Sequence, residues 1–358
     1  MSKKSLLFII VLILCILAIG CGNVLEPMRE VQTVSEPSQT DNIVVGFSQL
    51  GAESDWRSAN TESMKATFTR SNGYDLIFED GQQKQANQIT AVRTFIQQQV
   101  DYIVLAPVIE TGWDTVLQEA KDAGIPVIIV DRMVDVEDDS LFTCWVGSDF
   151  ELEGKKLAEW LNQYAVEQAI APQDIHIVNI QGTIGASAQI GRTKALADAA
   201  TAYGWDLMAE VTGEFTQAKG QEVMESVLRQ YDNVNVVYCE NDNEAFGAIE
   251  AIEAAGRVVG SDITNGEIMV ISFDGVKKEA LIYALEGKIT CIAECNPDHG
   301  PRVQAIIELL EAGGVPDKFS YVDGDIFCAD ETVENITVDG TDYNVTILTE
   351  EFVTQREY

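Results

Sequence analysis

Histidine is the scarcest useful catalyst here: two occur in 358 residues, His176 and His299, and neither has a serine, cysteine or second histidine at useful spacing. A hydrolytic nucleophile needs a base beside it and an oxyanion site, so a hydrolase is disfavoured and both histidines read as structural or exposed. Basic residues are few as well. Against 58 Asp and Glu stand 23 Lys and Arg, a formal net charge of -35. A chain so acidic repels phosphate backbones instead of releasing their counterions, which argues against nucleic acid as a partner. The segment QGTIG (181–185) is not a GxGxxG loop, so a dinucleotide site has no support. The acidic stretch DVEDD (135–139) lacks the alternating ligands and central glycine of a calcium loop. Cys291 and Cys295 lack the second cysteine pair or histidines of a zinc site. No metal and no cofactor is expected.

No apolar run reaches the roughly 20 residues that cross a bilayer as a permanent helix. The longest, Leu6 to Ile19, follows Lys3 and Lys4 and ends in Gly20 and Cys21, which is a secretory signal pattern. Leu17 to Cys21 (LAIGC) resembles a bacterial lipobox, with Cys21 as the lipidated first residue of the mature chain. Residues 1–21 are thus expected to be a signal segment. Residues 22–41, polar and without apolar periodicity, read as a tether. The body is expected outside the cytoplasm, anchored to the bacterial cell membrane as a lipoprotein. Its cysteines, Cys144, Cys239, Cys291, Cys295 and Cys328, are odd in number and cannot all pair. Buried free thiols are the default, with a disulfide through Cys328 as the alternative.

The length suits two domains, at roughly 150 residues each. From Asn42 short apolar runs alternate with helical patterns, the mark of βαβ units and parallel sheet. Strands are expected at 43–48, 75–80, 101–107, 126–132 and 143–149, with helices at 56–71, 85–99, 113–123 and 150–169. A second series begins afresh, with strands at 174–182, 205–213, 234–241 and 267–275 and helices that include 186–203 and 243–255. After an apolar run at 289–296 comes one more helix, 301–312. In the tail, Asp339 and Gly340 between alternating residues signal a hairpin.

Ligands of open parallel sheets bind beyond the carboxyl ends of the strands. Here those ends carry Gln49, Glu53, Ser54, Asp55, Trp56 and Arg57, then Asp80, Gln82 and Gln83, then Asp131 and Arg132. The second series adds Gln181, Arg192, Asn241, Asp242, Asp274, Glu294 and Asn296. Singly, each has an ordinary use: an aspartate caps the next helix, an arginine forms a surface ion pair. Convergence at so many strand ends is hard to explain by capping alone. Carboxylates, amides and guanidinium forks supply both acceptors and donors for ring hydroxyls, and Trp56 offers a flat apolar face for the C–H side of a sugar.

Nearly everything after Asn42 resembles the bacterial periplasmic sugar-binding proteins of the ribose and galactose class. FSQLGAESDWRSAN (47–60), 81–108, 111–132 and QGTIGASAQIGRTKAL (181–196) are most similar to the galactofuranose-binding components of ABC importers. The resemblance implies an α/β fold of two Rossmann-like parallel-sheet lobes joined by a three-stranded hinge, with crossings near 147–150, 294–296 and 319–322. It places residues 42–147 plus 296–320 in an N-terminal lobe and 148–295 plus 321–358 in a C-terminal lobe. Asp131 and Arg132 match the pair that grips sugar hydroxyls, Trp56 and Arg57 the stacking groups, and Arg192, Asn241 and Asp274 the second-lobe contacts. Gly51 to Asp55 match the segment that distinguishes the galactofuranose subgroup, and Glu294 falls at a hinge position. The implied ligand is a monosaccharide, a galactofuranose-like aldose, and the implied partner an ABC importer permease. A sugar sensor signalling to a membrane kinase or chemoreceptor is the alternative. The chain is expected to be a monomer and not an enzyme.

Overall fold

A computed structural model describes residues 42–356 and 358; the expected signal segment, Cys21 and the tether lie outside the described residues. The chain runs β1 (Ile43–Gln49), α1 (Asp55–Thr67), β2 (Tyr74–Asp80), α2 (Gln85–Gln98), β3 (Tyr102–Leu105), α3 (Asp114–Asp122), β4 (Val127–Val130) and β5 (Cys144–Ser148). It continues through α4 (Phe150–Glu167), β6 (His176–Gln181), α5 (Ser187–Tyr203), β7 (Asp206–Thr212), α6 (Gln217–Gln230), β8 (Val236–Cys239) and α7 (Asp242–Ala254). Then come β9 (Met269–Asp274), α8 (Lys278–Leu285), β10 (Cys291–Glu294), α9 (Gly300–Glu311) and β11 (Phe319–Val322). The tail holds β12 (Ile326–Cys328), β13 (Asn335–Val338), β14 (Thr341–Ile347) and α10 (Glu350–Gln355).

These strands form two sheets, one in each of two lobes. The first is ordered β11-β5-β4-β3-β1-β2 and the second β13-β14-β12-β10-β9-β8-β6-β7. Within the first sheet all pairings are parallel. Helices cover both faces, so central strands are apolar at every position, as VIIV of β4 is. Neighbouring side chains still alternate in direction: Ile103 and Leu105 enter the layer of Phe95 and Trp113, while Val104 enters that of Met64 and Ile307. The second sheet is built likewise, with Ile271 beside Trp160 on one face and Val270 beside Ile249 on the other.

Between β5 and α4 the chain passes from the first lobe to the second, returns between β10 and α9, and passes again between β11 and β12. β11 belongs whole to the first sheet, so the third passage is Asp323–Asp325. β12 pairs antiparallel with β10 and parallel with β14, adding the tail hairpin to the second sheet as a mixed edge. Asp339 and Gly340 hold φ of 50° and 81°, the two left-handed residues a tight hairpin turn needs. The expected helix to residue 71 stops at Thr67, followed by a separate 3-10 turn over Arg70–Asn72. All five body cysteines are free and buried. No helix among the described residues is long and apolar enough to cross a membrane.

Candidate functional site

The carboxyl ends of both sheets face each other, and what they present is set by local backbone chemistry. Ser54 caps α1, its hydroxyl accepting from the Arg57 amide at 3.2 Å, which turns Trp56 and Arg57 inward on the first helical turn. Asn241 does the same for α7, accepting from the Glu244 amide at 2.8 Å while its own amide group donates to the Phe215 carbonyl at 3.0 Å. Asp131 follows β4 and Asp274 is the last residue of β9, and both hold positive φ, 61° and 95°. That region is costly for an L side chain, and such strain persists where surrounding structure fixes it, typically at functional sites. The two lobes thus aim one carboxylate each from equivalent strand ends.

Glu53, Ser54, Trp56, Arg57, Asp131, Arg132, Arg192, Asn241 and Asp274 line one cavity. Phe150, Ala188, Phe215 and Cys295 complete the wall. On the first-lobe side, Arg57 bonds Asp131 at 2.6 Å and Glu53 at 3.1 Å, and Arg132 reaches Glu53 at 3.4 Å and the Val108 carbonyl at 2.7 Å. On the second-lobe side, Arg192 bonds one oxygen of Glu153 through Nε and Nη2, at 3.1 and 2.9 Å, and Asp274 at 3.2 Å. It also donates to the Glu240 carbonyl. The guanidinium planes lie against aromatic rings, Arg57 over Trp56 at 4.7 Å and Arg132 over Phe215 at 5.2 Å.

Burial and charge oppose each other here. Desolvation acts to lower Arg57, yet Asp131 and Glu53 outweigh it and hold its guanidinium more basic than usual. Arg132, desolvated and beside the charge of Arg57, falls to about 10. Asp274 and Glu153 are pushed up by burial despite Arg192. Three polar atoms at or just behind the wall, Oε2 of Glu53, Nη1 of Arg57 and Oε1 of Glu153, are buried without a hydrogen-bond partner. Such atoms are costly to leave unpaired and favour a ligand that offers both donors and acceptors. Hydroxyl groups do both. The free space is about 20 Å3, room for roughly one water, so a sugar ring needs more room than this arrangement of the two walls leaves.

Nine of the residues selected from the sequence do not line this cavity: Gln49, Asp55, Asp80, Gln82, Gln83, Gln181, Asp242, Glu294 and Asn296. Gln49 is fully buried at the end of β1, donating to Asn60 at 3.0 Å and Thr61 at 3.1 Å, where it ties the strand to α1. Asp55 sits at the rim, accepting from Asn243 of the second lobe and paired with Lys277. Glu294 accepts from the Asp325 amide at 2.9 Å, from Arg356 at 2.5 Å and from Tyr358 at 3.0 Å, joining two of the interlobe passages. Gln49 and Glu294 end their strands and Asp55 opens α1, but none of the three lines the cavity. Reasoning from polarity alone missed Phe150, Ala188, Phe215 and Cys295. Phe150, Phe215 and Cys295 each follow a strand closely, so the strand-end rule held the signal had apolar residues been admitted. Gly182 makes room for Phe215: a Cβ there would lie 1.9 Å from the ring. His299 is buried with neither ring nitrogen partnered, edge-on to Trp56 at 5.6 Å, and burial lowers it to about 4. Among the described residues no group of side chains fits a metal ion.

Two α/β lobes joined by three passages of the chain, with a polar cavity between their strand ends, are the architecture of a small-solute receptor. Residues 45–299 match the periplasmic binding protein domain family, and the chain belongs to it. It is 40% identical over 301 residues to the galactofuranose-binding protein YtfQ of Escherichia coli K12, covering 82% of this chain and 90% of that one. The periplasmic binding protein of the arabinose ABC transporter from Shewanella sp. ANA-3, solved with α- and β-L-arabinofuranose, is 41% identical with a TM-score of 0.74, over 81% of this chain and 93% of that one. A protein from Mycobacterium smegmatis in complex with β-D-fucofuranose is 38% identical with a TM-score of 0.75, over 81% and 92%. Membership makes this chain an extracytoplasmic binding protein and not an enzyme.

Proposed function

We propose that the chain captures an aldose in its five-membered ring form, of galactose-like configuration, and delivers it to an ABC importer. The carrying observation is the cavity wall, where donors, acceptors and aromatic faces from both lobes converge on one small space. The three relatives supply the ring form, since their names specify galactofuranose, arabinofuranose and fucofuranose. L-Arabinose, D-fucose and D-galactose share one configuration at carbons 2, 3 and 4 and differ beyond them. The wall residues Glu53, Ser54, Trp56, Arg57, Asp131, Arg132, Arg192, Asn241 and Asp274 are therefore the proposed contacts for the common ring. Buried polar groups reject a ring lacking the matching hydroxyl far more strongly than an apolar pocket does. Closure around the ligand then gives the importer a form that differs from the empty receptor. A lipid on Cys21, with residues 22–41 as leash, holds the monomeric receptor at the membrane.

The test is carbon NMR of the chain with D-galactose labelled at carbon 1. Bound sugar should give its anomeric signal at furanose positions. A pyranose signal contradicts the ring form, and absence of binding to galactose, fucose and arabinose contradicts the sugar reading itself.

A further inference from the structure

Contacts that join the lobes without touching the cavity occupy both rims. On one rim the Asp55 amide donates to Asn243 Oδ1 at 2.9 Å, Asn243 Nδ2 returns a bond to Asp55 Oδ2 at 3.2 Å, and Lys277 Nζ stands 2.5 Å from Asp55 Oδ1. Asp55 belongs to the first turn of α1, Asn243 to the first turn of α7, and Lys277 to the loop before α8. On the opposite rim the Glu110 amide donates to the Gly185 carbonyl at 3.0 Å and the Met133 amide to Ser187 Oγ at 2.9 Å. None of Asp55, Asn243 or Lys277 lines the cavity.

We propose that Asp55, Asn243 and Lys277 form a latch that sets the affinity of the receptor by stabilising its closed form, without reading the ligand. The proposal rests on the sugar-binding function above. A bond present only when the lobes are closed adds to the stability of that form, and ligand affinity rises with the fraction of receptor already competent to hold it. The geometry separates two roles that share α1. Trp56 and Arg57 turn inward toward the ligand, while Asp55, one residue earlier, turns outward across the rim. Asp55 takes two side-chain bonds, one to each carboxylate oxygen, from groups on two different second-lobe elements, so it registers the position of the whole lobe. Because the pair with Lys277 is half-exposed, salt weakens it. The contacts of Glu110 with Gly185 and of Met133 with Ser187 use backbone groups and one hydroxyl, so among the described residues the charged interlobe contact outside the cavity is the one at Asp55.

The latch is tested on the full-length chain with Asp55→Ala, Asn243→Ala and the exchanged pair Asp55→Lys with Lys277→Asp. Calorimetry with L-arabinose and D-galactose should show both affinities reduced by the same factor in the single variants, about two- to fivefold for a partly exposed contact of this kind. The exchanged pair should recover part of the loss. A changed ratio between the two sugars would mean that Asp55 touches ligand, and unchanged affinities would mean that the contacts are idle; either overturns the proposal. Spin labels on the exposed Thr90 and Glu222, one on each lobe, give a second readout without sugar. Asp55→Ala should move the ligand-free distance distribution toward the open form, and an unchanged distribution overturns the latch. If no sugar binds the parent chain, the function proposed above fails while this distance measurement still decides the latch.

Discussion

The two walls of the cavity solve the same problem with different charge arithmetic. In the first lobe two guanidinium groups, Arg57 and Arg132, face two carboxylates, Glu53 and Asp131. In the second, Arg192 is the one cation among the described residues that bonds Glu153 and Asp274 directly, and three more buried acids, Glu240, Asp242 and Glu244, lie behind. Those three serve as staples. Glu240 accepts from the Gly182 amide and from Asn179 and Thr193, Asp242 from Ser272 and the Gly275 amide, and Glu244 from the Phe215 amide. They fix the strand-end loops that carry Phe215 and Asp274. The first lobe is therefore held by cross-paired ions and the second by one cation amid loop-bracing acids, which makes the second wall the more fragile to charge changes.

The largest expected effect exploits that asymmetry. Arg192→Met leaves Glu153 and Asp274 buried without their cation and should cost about 3–5 kcal/mol of stability. Arg57→Met should cost distinctly less, because Arg132 remains beside both Glu53 and Asp131. Denaturant titrations of the two variants without sugar compare them, and equal losses would erase the distinction between the walls.

A smaller effect is expected from pH. Burial pushes Glu240 and Asp242 up to about 7, from ordinary carboxylate values. Their folded-state affinity for protons exceeds that of the unfolded chain, so their contribution is full below the unfolded values near 4 and is lost as pH rises through about 7. Melting temperature should fall between pH 5 and pH 8, and Glu240→Gln should flatten that slope. A slope untouched by Glu240→Gln would place the titration elsewhere. Least of all, Gln49→Ala should cost about 1 kcal/mol of stability through its lost bonds to Asn60 and Thr61. Its sugar affinity should stay unchanged when measured by calorimetry, and a loss there would return Gln49 to the cavity.

Much of this architecture was legible in residue order. Buried parallel strands are short unbroken apolar runs, so VIIV and its counterparts announced themselves, and the lobes followed from the restart of the series at residue 174. The strand-end rule also located the cavity, because a parallel sheet offers its ligand face at one end only. What the order could not show is which way a side chain at a strand end turns. Gln49 and Glu53 are four residues apart on the same connection, yet one braces a helix and the other faces the cavity. Asp55 and Trp56 are adjacent and diverge because successive helical positions differ by about 100°. The aromatic part of the wall escaped notice for a different reason: Phe150 and Phe215 look like core residues until the opposing lobe is in place. Glu153 and Glu240 read as ordinary helix and strand-end acids, and their bearing on Arg192 is purely tertiary.

Calorimetric titration with D-galactose and L-arabinose of the parent chain, Asp131→Ala and Arg192→Ala tests the shared cavity most directly, since the two residues come from opposite lobes. If both lobes hold one ligand, each variant should lose more than about 1.5 kcal/mol of binding, roughly tenfold or more, through polar partners left unpaired in a closed cleft. Full affinity retained in both variants would contradict it.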